Sequence, residues 1–318
     1  MASGFAIGEA LNETFNFAVS RWGSVLRYGW APLLAASAVL VLMLYAIVDI
    51  GALEEMEKDP QVIVNAASFL RAPVPVAILA FLATGAFITF IMAGFLASVY
   101  RLAALGEDAP GFIHLRFDGP ALRVFFANII QTAINYSVYL VALLIASLAT
   151  GVSIGSAFGA IMEFVRIVSE AAQADQAVDP AAIGASVEPI GLFFVAGLFA
   201  ALPAIYLNVR LAPFVSGSAA ENRLILAGAF RLTAGRFWPL FGYFLLLALA
   251  LLVLTFVFQI AMAIFETLTA LPAGGVFSII SAIASLIAFA LGLGYQIFTF
   301  SLQLGGQGII YRRLKTGA

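Results

Sequence analysis

An all-α bundle of membrane-spanning helices is the fold that this chain predicts, and three observations carry the expectation. Of 318 residues, 63% are hydrophobic and 10% charged, and mean hydropathy is +1.08. An ordinary soluble domain is about 25% charged. Six stretches are long enough to cross the hydrocarbon, which takes about 20 apolar residues. Basic residues gather at the ends of these stretches on one side. The chain therefore reads as a single membrane domain, 1–318, with six transmembrane helices and cytoplasmic interfacial helices.

Residues 4–27 carry Ile7, Leu11, Phe15, Val19, Trp22 and Leu26 at helical spacing, with Glu9, Asn12, Glu13, Asn16 and Arg21 opposite. Such a helix either lies on the membrane or packs under the bundle. The first span, 29–50, is entered through Tyr28 and Trp30, an interfacial aromatic pair. Residues 51–74 form a polar, acidic outer loop with a short helix around 62–70. The second span, 75–100, stops at Tyr100-Arg101. Gly106–Pro120 is a tight polar turn. The run from Val124 to Met162 is too long for one upright span. It divides into a third span, 124–150, and an outer helix, 155–173; a span shifted to 138–162 competes. Residues 171–189 read as a flexible acidic segment. The fourth, fifth and sixth spans are 190–212, 237–265 and 275–308.

With six spans, Lys58, Arg71 and Arg166 fall on the outer side and the other twelve of the 15 basic residues on the inner side. The positive-inside rule then places both termini in the cytoplasm of a multi-pass plasma (inner) membrane protein. No cleavable leader pattern opens the chain, so the first span is expected to serve as its own insertion signal.

The stretch Leu224–Leu240, with Arg231, Arg236, Phe237 and Trp238, is a cationic, aromatic-tipped lead-in to a long apolar span. A shift of 215 residues aligns Phe15 with Phe230, Arg21 with Arg236 and Trp22 with Phe237. The even-numbered spans also end alike, at Tyr100-Arg101, Val209-Arg210 and Tyr311-Arg312. Three hairpin units, 4–105, 112–215 and 222–315, account for this. Arginines placed for topology alone account for it as well. Parallel repeats of this kind occur in transporters.

The segment Ala229–Phe241 resembles a run seen in uncharacterised six-span bacterial membrane proteins, similar to the membrane domain attached to some glycerophosphodiester phosphodiesterases. Arg101–Glu107 and Phe117–Arg123 are similar to the same group. The resemblance implies the six-span architecture. It implies no phosphodiesterase activity, because the outer loops are too short to hold a catalytic domain.

Chemical motifs are few. Cysteine is absent, which excludes disulfides, thiolate metal sites and a cysteine nucleophile. Gly151-Val152-Ser153-Ile154-Gly155 matches the nucleophile-elbow spelling. That motif needs a strand-turn-helix setting and a histidine base, and the only histidine, His114, is placed in a turn on the opposite side. Gly151, Gly155 and Gly159 read better as a small-residue packing face. One histidine makes no zinc site, which takes three or four ligands. No metal, no cofactor and no enzymatic activity are expected. Neither is a nucleic-acid partner.

Two polar stripes stand out. Asn128, Gln131, Asn135 and Tyr139 share one face of the third span; Gln296, Thr299, Gln303 and Gln307 share one face of the sixth. Unpaired amides in hydrocarbon cost several kcal/mol, on the order given by transfer from water. The stripes are therefore either interhelical glue or the lining of a vestibule open to the cytoplasm, rimmed by Arg101, Arg123 and Arg210. Span interiors hold essentially no ionisable residue, which argues against a proton-coupled pump.

All basic residues except Lys58 and Lys315 are arginine, the side chain suited to bidentate phosphate contact. The expected function is non-enzymatic: contact with anionic lipid headgroups at the cytoplasmic face through Arg101, Arg123, Arg210, Arg231 and Arg236. Membrane lipids, a membrane protein or a second copy are the expected partners. A transporter or channel for a small polar or anionic solute is the alternative.

Overall fold

A computed structural model describes residues 5–47, 71, 73–111, 115–152, 180–269 and 275–317, with isolated positions between 156 and 167. Side chains at the start of the fourth and seventh helices lie outside this set. So do the short helix expected around 62–70, most of the outer helix 155–173, and Ser153, Gly155 and His114. The described residues form α1 (Ile7–Ile47), α2 (Val74–Leu105), α3 (Gly119–Thr150), α4 (Pro180–Glu221), α5 (Leu226–Leu232), α6 (Phe237–Thr269) and α7 (Gly275–Thr316), with no strand among them. Of these, α1, α2, α3, α6 and α7 are long and apolar enough to cross a membrane. The described residues thus form the all-helical framework, with five long apolar helices, that suggests a membrane protein. The expected fourth span, 190–212, lies inside α4.

Several boundaries differ from expectation. The N-terminal lead-in and the first span are one uninterrupted helix of 41 residues. At 1.5 Å per residue it is about 60 Å long, roughly twice the hydrocarbon thickness. Pro32 sits inside it and has no N–H to offer the Tyr28 carbonyl. The second lead-in does break. Thr233 ends α5, Gly235 takes φ +70°, and α6 starts at Phe237. Under the 215-residue shift, Gly235 corresponds to Ser20, which is helical. Glycine admits the left-handed turn at no steric cost and serine does not, so the two lead-ins fold differently.

The third span ends at Thr150, in agreement with 124–150 over the shifted alternative. Gly151 follows it at φ +69°, the left-handed residue that commonly terminates a helix. It is a helix stop, and a Cβ added at Gly151 or Gly159 would meet nothing within 4 Å. The small-residue packing face expected at 151, 155 and 159 therefore has no neighbour at either described glycine. The segment expected to be flexible up to 189 is already helical from Pro180. Proline at a first helical position loses no hydrogen bond, because that N–H has no partner inside the helix.

The chain divides into two units. The first comprises Met1–Val39, Ala86–Asn128 and Val209–Ala318; the second comprises Leu40–Gly85 and Ile129–Asn208. In the first unit, Ala10 and Ala18 of α1, Val209 of α4, Leu240, Tyr243 and Leu247 of α6, and Leu302 and Ile310 of α7 form the buried core. The lead-in helix thus packs into its unit along Ala10, Thr14, Ala18 and Val25, while Val19 and Trp22 remain exposed. Close approach depends on glycines of α7. A Cβ at Gly306 would lie 2.5 Å from the Tyr243 hydroxyl oxygen, and one at Gly308 would lie 2.7 Å from Ala103 Cβ. A Cβ at Gly305 would overlap the Phe17 ring. α6 and α7 run antiparallel: Thr255 and Tyr295 hydroxyls bond at 2.6 Å, and Phe258 stacks on Tyr295.

In the second unit, Met43, Ile47 and Ala77 are buried together. The Arg71 N–H donates to the Ile47 carbonyl at 2.8 Å, and its guanidinium donates to the Tyr45 carbonyl at 3.3 Å. Arg71 thereby satisfies carbonyls that the end of α1 leaves without donors.

Candidate functional site

The arginines of the first unit fall into two groups, those spent on the fold and those left over. Arg101, at the end of α2, donates through Nη1 to the Ala219 carbonyl of α4 at 3.0 Å, and through Nε and Nη2 to Glu107 at 3.0 and 2.5 Å. Arg210 donates to the carbonyls of Thr233 at 2.6 Å and Phe230 at 2.9 Å, and lies over the Phe230 ring. It holds the α5 turn to α4, and Thr233 returns a hydroxyl bond to the Arg210 carbonyl at 3.2 Å. Arg123 donates to the Gly119 carbonyl one turn back, at 3.3 Å. These three expected headgroup ligands thus serve backbone carbonyls.

Arg231 and Arg236 are different. Neither guanidinium has a hydrogen-bond or ion-pair partner among the described residues, and Arg231 is exposed. Trp238, two residues beyond Arg236, is 74% exposed. Arg21 is likewise exposed and without such a partner, beside Trp22. The lead-in helices therefore each present a free guanidinium next to an exposed indole.

The polar stripes are placed as follows. Asn135 donates to the Asn208 side-chain oxygen at 2.9 Å within the second unit, and Asn208 donates to the Ala204 carbonyl. Asn128 belongs to the first unit, and its amide nitrogen is buried with no partner among the described residues. Gln131 is half-buried. On α7, Gln307 accepts from the Tyr100 hydroxyl at 2.9 Å, and its carbonyl accepts from Ser216. Gln296 and Gln303 are exposed and Thr299 is buried. The third-span stripe is divided between the two units, with Asn128 in one and Gln131 and Asn135 in the other.

Carboxylates that carried no weight in the sequence turn out to organise the first unit. Arg313 is 9% exposed; it meets Glu13 through Nε at 3.1 Å and Nη2 at 3.0 Å, and Glu9 through Nη1 at 3.2 Å. This pins the first helix to the last. Glu221, ending α4, accepts from the Tyr311 hydroxyl at 2.6 Å, Lys315 at 2.9 Å and Arg223 at 2.8 Å. The Tyr311 hydroxyl bond is the largest cause holding the Glu221 carboxyl down at about 2, with Lys315 and Arg223 adding to it. Such pairings are invisible in one dimension because the partners lie about 90 and 300 residues apart.

A cavity of about 410 Å³ lies beside α2, against Glu107, Asp108, Ala109 and Pro110 of the turn that follows it. Gly94, Ala97, Ser98 and Arg101 recur at one-face helical spacing along α2 and form one wall. The turn and the start of α3 supply the other wall. Gly106 stops α2 at φ +73°, and Asp118 caps α3 by accepting the Ala121 N–H at 3.2 Å. Tyr28 and Arg27 of α1 hold Asp108 from outside: both donate to its Oδ1, and the Ala109 N–H donates to the Tyr28 hydroxyl. Among the described residues, no three of His, Asp and Glu gather to hold a metal ion.

The chain matches no protein-family model, no curated protein and no solved structure.

Proposed function

We propose that this chain is a six-span, non-enzymatic membrane protein that holds anionic lipid headgroups at its cytoplasmic face. The observation that carries the reading is the pairing of unpartnered Arg231 and Arg236 with the exposed Trp238. Indoles favour the headgroup level of a bilayer, and a basic residue near an anionic surface contributes about 1 kcal/mol. Arg21 beside Trp22 repeats the arrangement at the first lead-in. If α4 is counted with the five long apolar helices, the spans number six and the positive-inside rule puts these residues on the cytoplasmic side. The similarity of Ala229–Phe241 to six-span bacterial membrane proteins is in keeping with this architecture.

Native mass spectrometry of protein extracted from mixed anionic and zwitterionic bilayers tests the proposal. Arg231→Gln and Arg236→Gln should each lower retained anionic phospholipid roughly fivefold, the equivalent of about 1 kcal/mol. Arg101→Gln should instead lower thermal stability, since Arg101 holds the Ala219 carbonyl. Retention unchanged in the Arg231 and Arg236 variants removes the reading.

One observation favours the alternative, a path for a small polar solute: the buried, unpartnered amide nitrogen of Asn128. A liposome flux abolished by Asn128→Leu in a folded protein would establish that path.

A further inference from the structure

The cavity against α2 is chemically unlike the cationic lead-ins. It carries both signs of charge: Arg101 and Arg116 stand with Glu107, Asp108 and Asp118 in its lining, and Arg27 holds Asp108 from outside. A simple anion would meet three carboxylates, and a simple cation two guanidinium groups. A ligand carrying both charges avoids each conflict.

The unused hydrogen-bonding capacity is also two-sided. Arg116 gives one nitrogen to Asp118, and its Nε and Nη1 have no partner among the described residues. Its Nη1 keeps two N–H donors and its Nε one, charge-assisted donors that phosphate oxygens accept. Opposite in charge, Glu107 uses only Oε2 and Asp108 only Oδ1 in the bonds that each makes. The remaining carboxylate oxygens are acceptors, and a primary ammonium brings three donors to them. Small side chains at Ala97 and Ser98 leave the space, and about 410 Å³ is within the usual range for small-ligand sites. Gly94 lets the Arg116 backbone pack directly on α2: a Cβ there would lie 2.5 Å from the Arg116 carbonyl oxygen.

We infer that this cavity binds a zwitterionic group joining a primary ammonium to a phosphate, the chemistry of ethanolamine phosphate, with Arg116 on the phosphate and Glu107 and Asp108 on the ammonium. The source is either a lipid headgroup or a free solute. The inference uses neither Arg231 nor Arg236 and stands apart from the anionic-surface reading.

Two titrations of the full chain test it. In maltoside micelles, calorimetry follows phosphoethanolamine, phosphocholine and inorganic phosphate. In phosphatidylcholine nanodiscs, native mass spectrometry follows added phosphatidylethanolamine. The expected result is saturable binding of a phosphoethanolamine group, weakened at least tenfold by Arg116→Gln and by Glu107→Gln, and less by Arg116→Lys. The melting temperature of each variant shows that it is folded. The Arg231→Gln/Arg236→Gln double variant should bind as the parent does, so loss of the anionic-lipid reading leaves this one intact. Saturation only in nanodiscs assigns the site to a lipid headgroup; equal affinity for the free compound assigns it to a solute. Phosphocholine or inorganic phosphate binding as tightly as phosphoethanolamine overturns the inference, as does the absence of saturation in both settings.

Discussion

Single atoms decide how closely the helices of the first unit approach. Gly308 faces Ala103 at a spacing that leaves no room for a methyl group, whereas Gly292 on the same helix has nothing within 4 Å of its would-be Cβ. Gly308→Ala should therefore destabilise by about 1–3 kcal/mol, the usual cost of overpacking. Gly292→Ala should be neutral or stabilising by up to about 1 kcal/mol, because alanine is the better helix former. Thermal unfolding of both in one detergent checks this. Equal shifts would show that α7 does not pack on α2 at Gly308. Arg313 illustrates the same scale for charge. It is nearly buried and holds two glutamates, so Arg313→Gln should cost roughly 1.5–3 kcal/mol, the range for hydrogen bonds to charged groups, in the same assay.

At the scale of elements, turns and termini are set by particular side chains. The α5–α6 turn needs φ +70° at Gly235. Gly235→Val should cost about 1–2 kcal/mol, since a left-handed backbone is strained for a branched residue. It should also displace Arg236 and Trp238, which a drop in retained anionic lipid would report. The junction of α4 with α7 predicts a pH dependence. Glu221 ordinarily titrates at 4.5 and is held at about 2 in the fold. Its contribution is therefore fully present above pH 4.5 and is lost as pH falls from 4.5 towards 2. The size is at most about 3 kcal/mol, because each tenfold change in proton affinity is worth about 1.4 kcal/mol. Melting curves across that window should steepen in their pH dependence for the parent and flatten for Glu221→Gln. Identical curves would mean that the Tyr311–Glu221–Lys315 contact does not form.

The described helices expose far more apolar surface than water tolerates. Leu148, Leu286 and Leu42 are about 70% exposed or more, and Leu252, Phe256, Val257 and Ile260 line an open face of α6. Such a surface is covered by lipid chains in a bilayer, where backbone groups are satisfied inside each helix. Extraction of membranes with alkaline carbonate should leave the chain in the pellet. Its release into the supernatant would contradict the membrane reading.

Composition and hydropathy alone determined the helical membrane class and most helix cores, because crossing hydrocarbon demands long apolar runs and admits little else. The end at Leu105 was legible from the turn that opens at Gly106, since glycine stops helices locally; the end at Thr150 agrees with the 124–150 reading, but Gly151, read as part of a packing face, is a helix stop. The arginines were legible as a group, but their division was not. Arg101 and Arg210 are consumed by carbonyls of residues distant in sequence, while Arg231 and Arg236 are left over. Nothing local distinguishes these four, because a guanidinium's partner depends on which helix ends meet. The cavity and the Glu13–Arg313 and Glu221–Tyr311 links were equally hidden. They bring together residues from α1, α2, α4 and α7, and only the packing of helices decides which charges face one another and which gaps stay open.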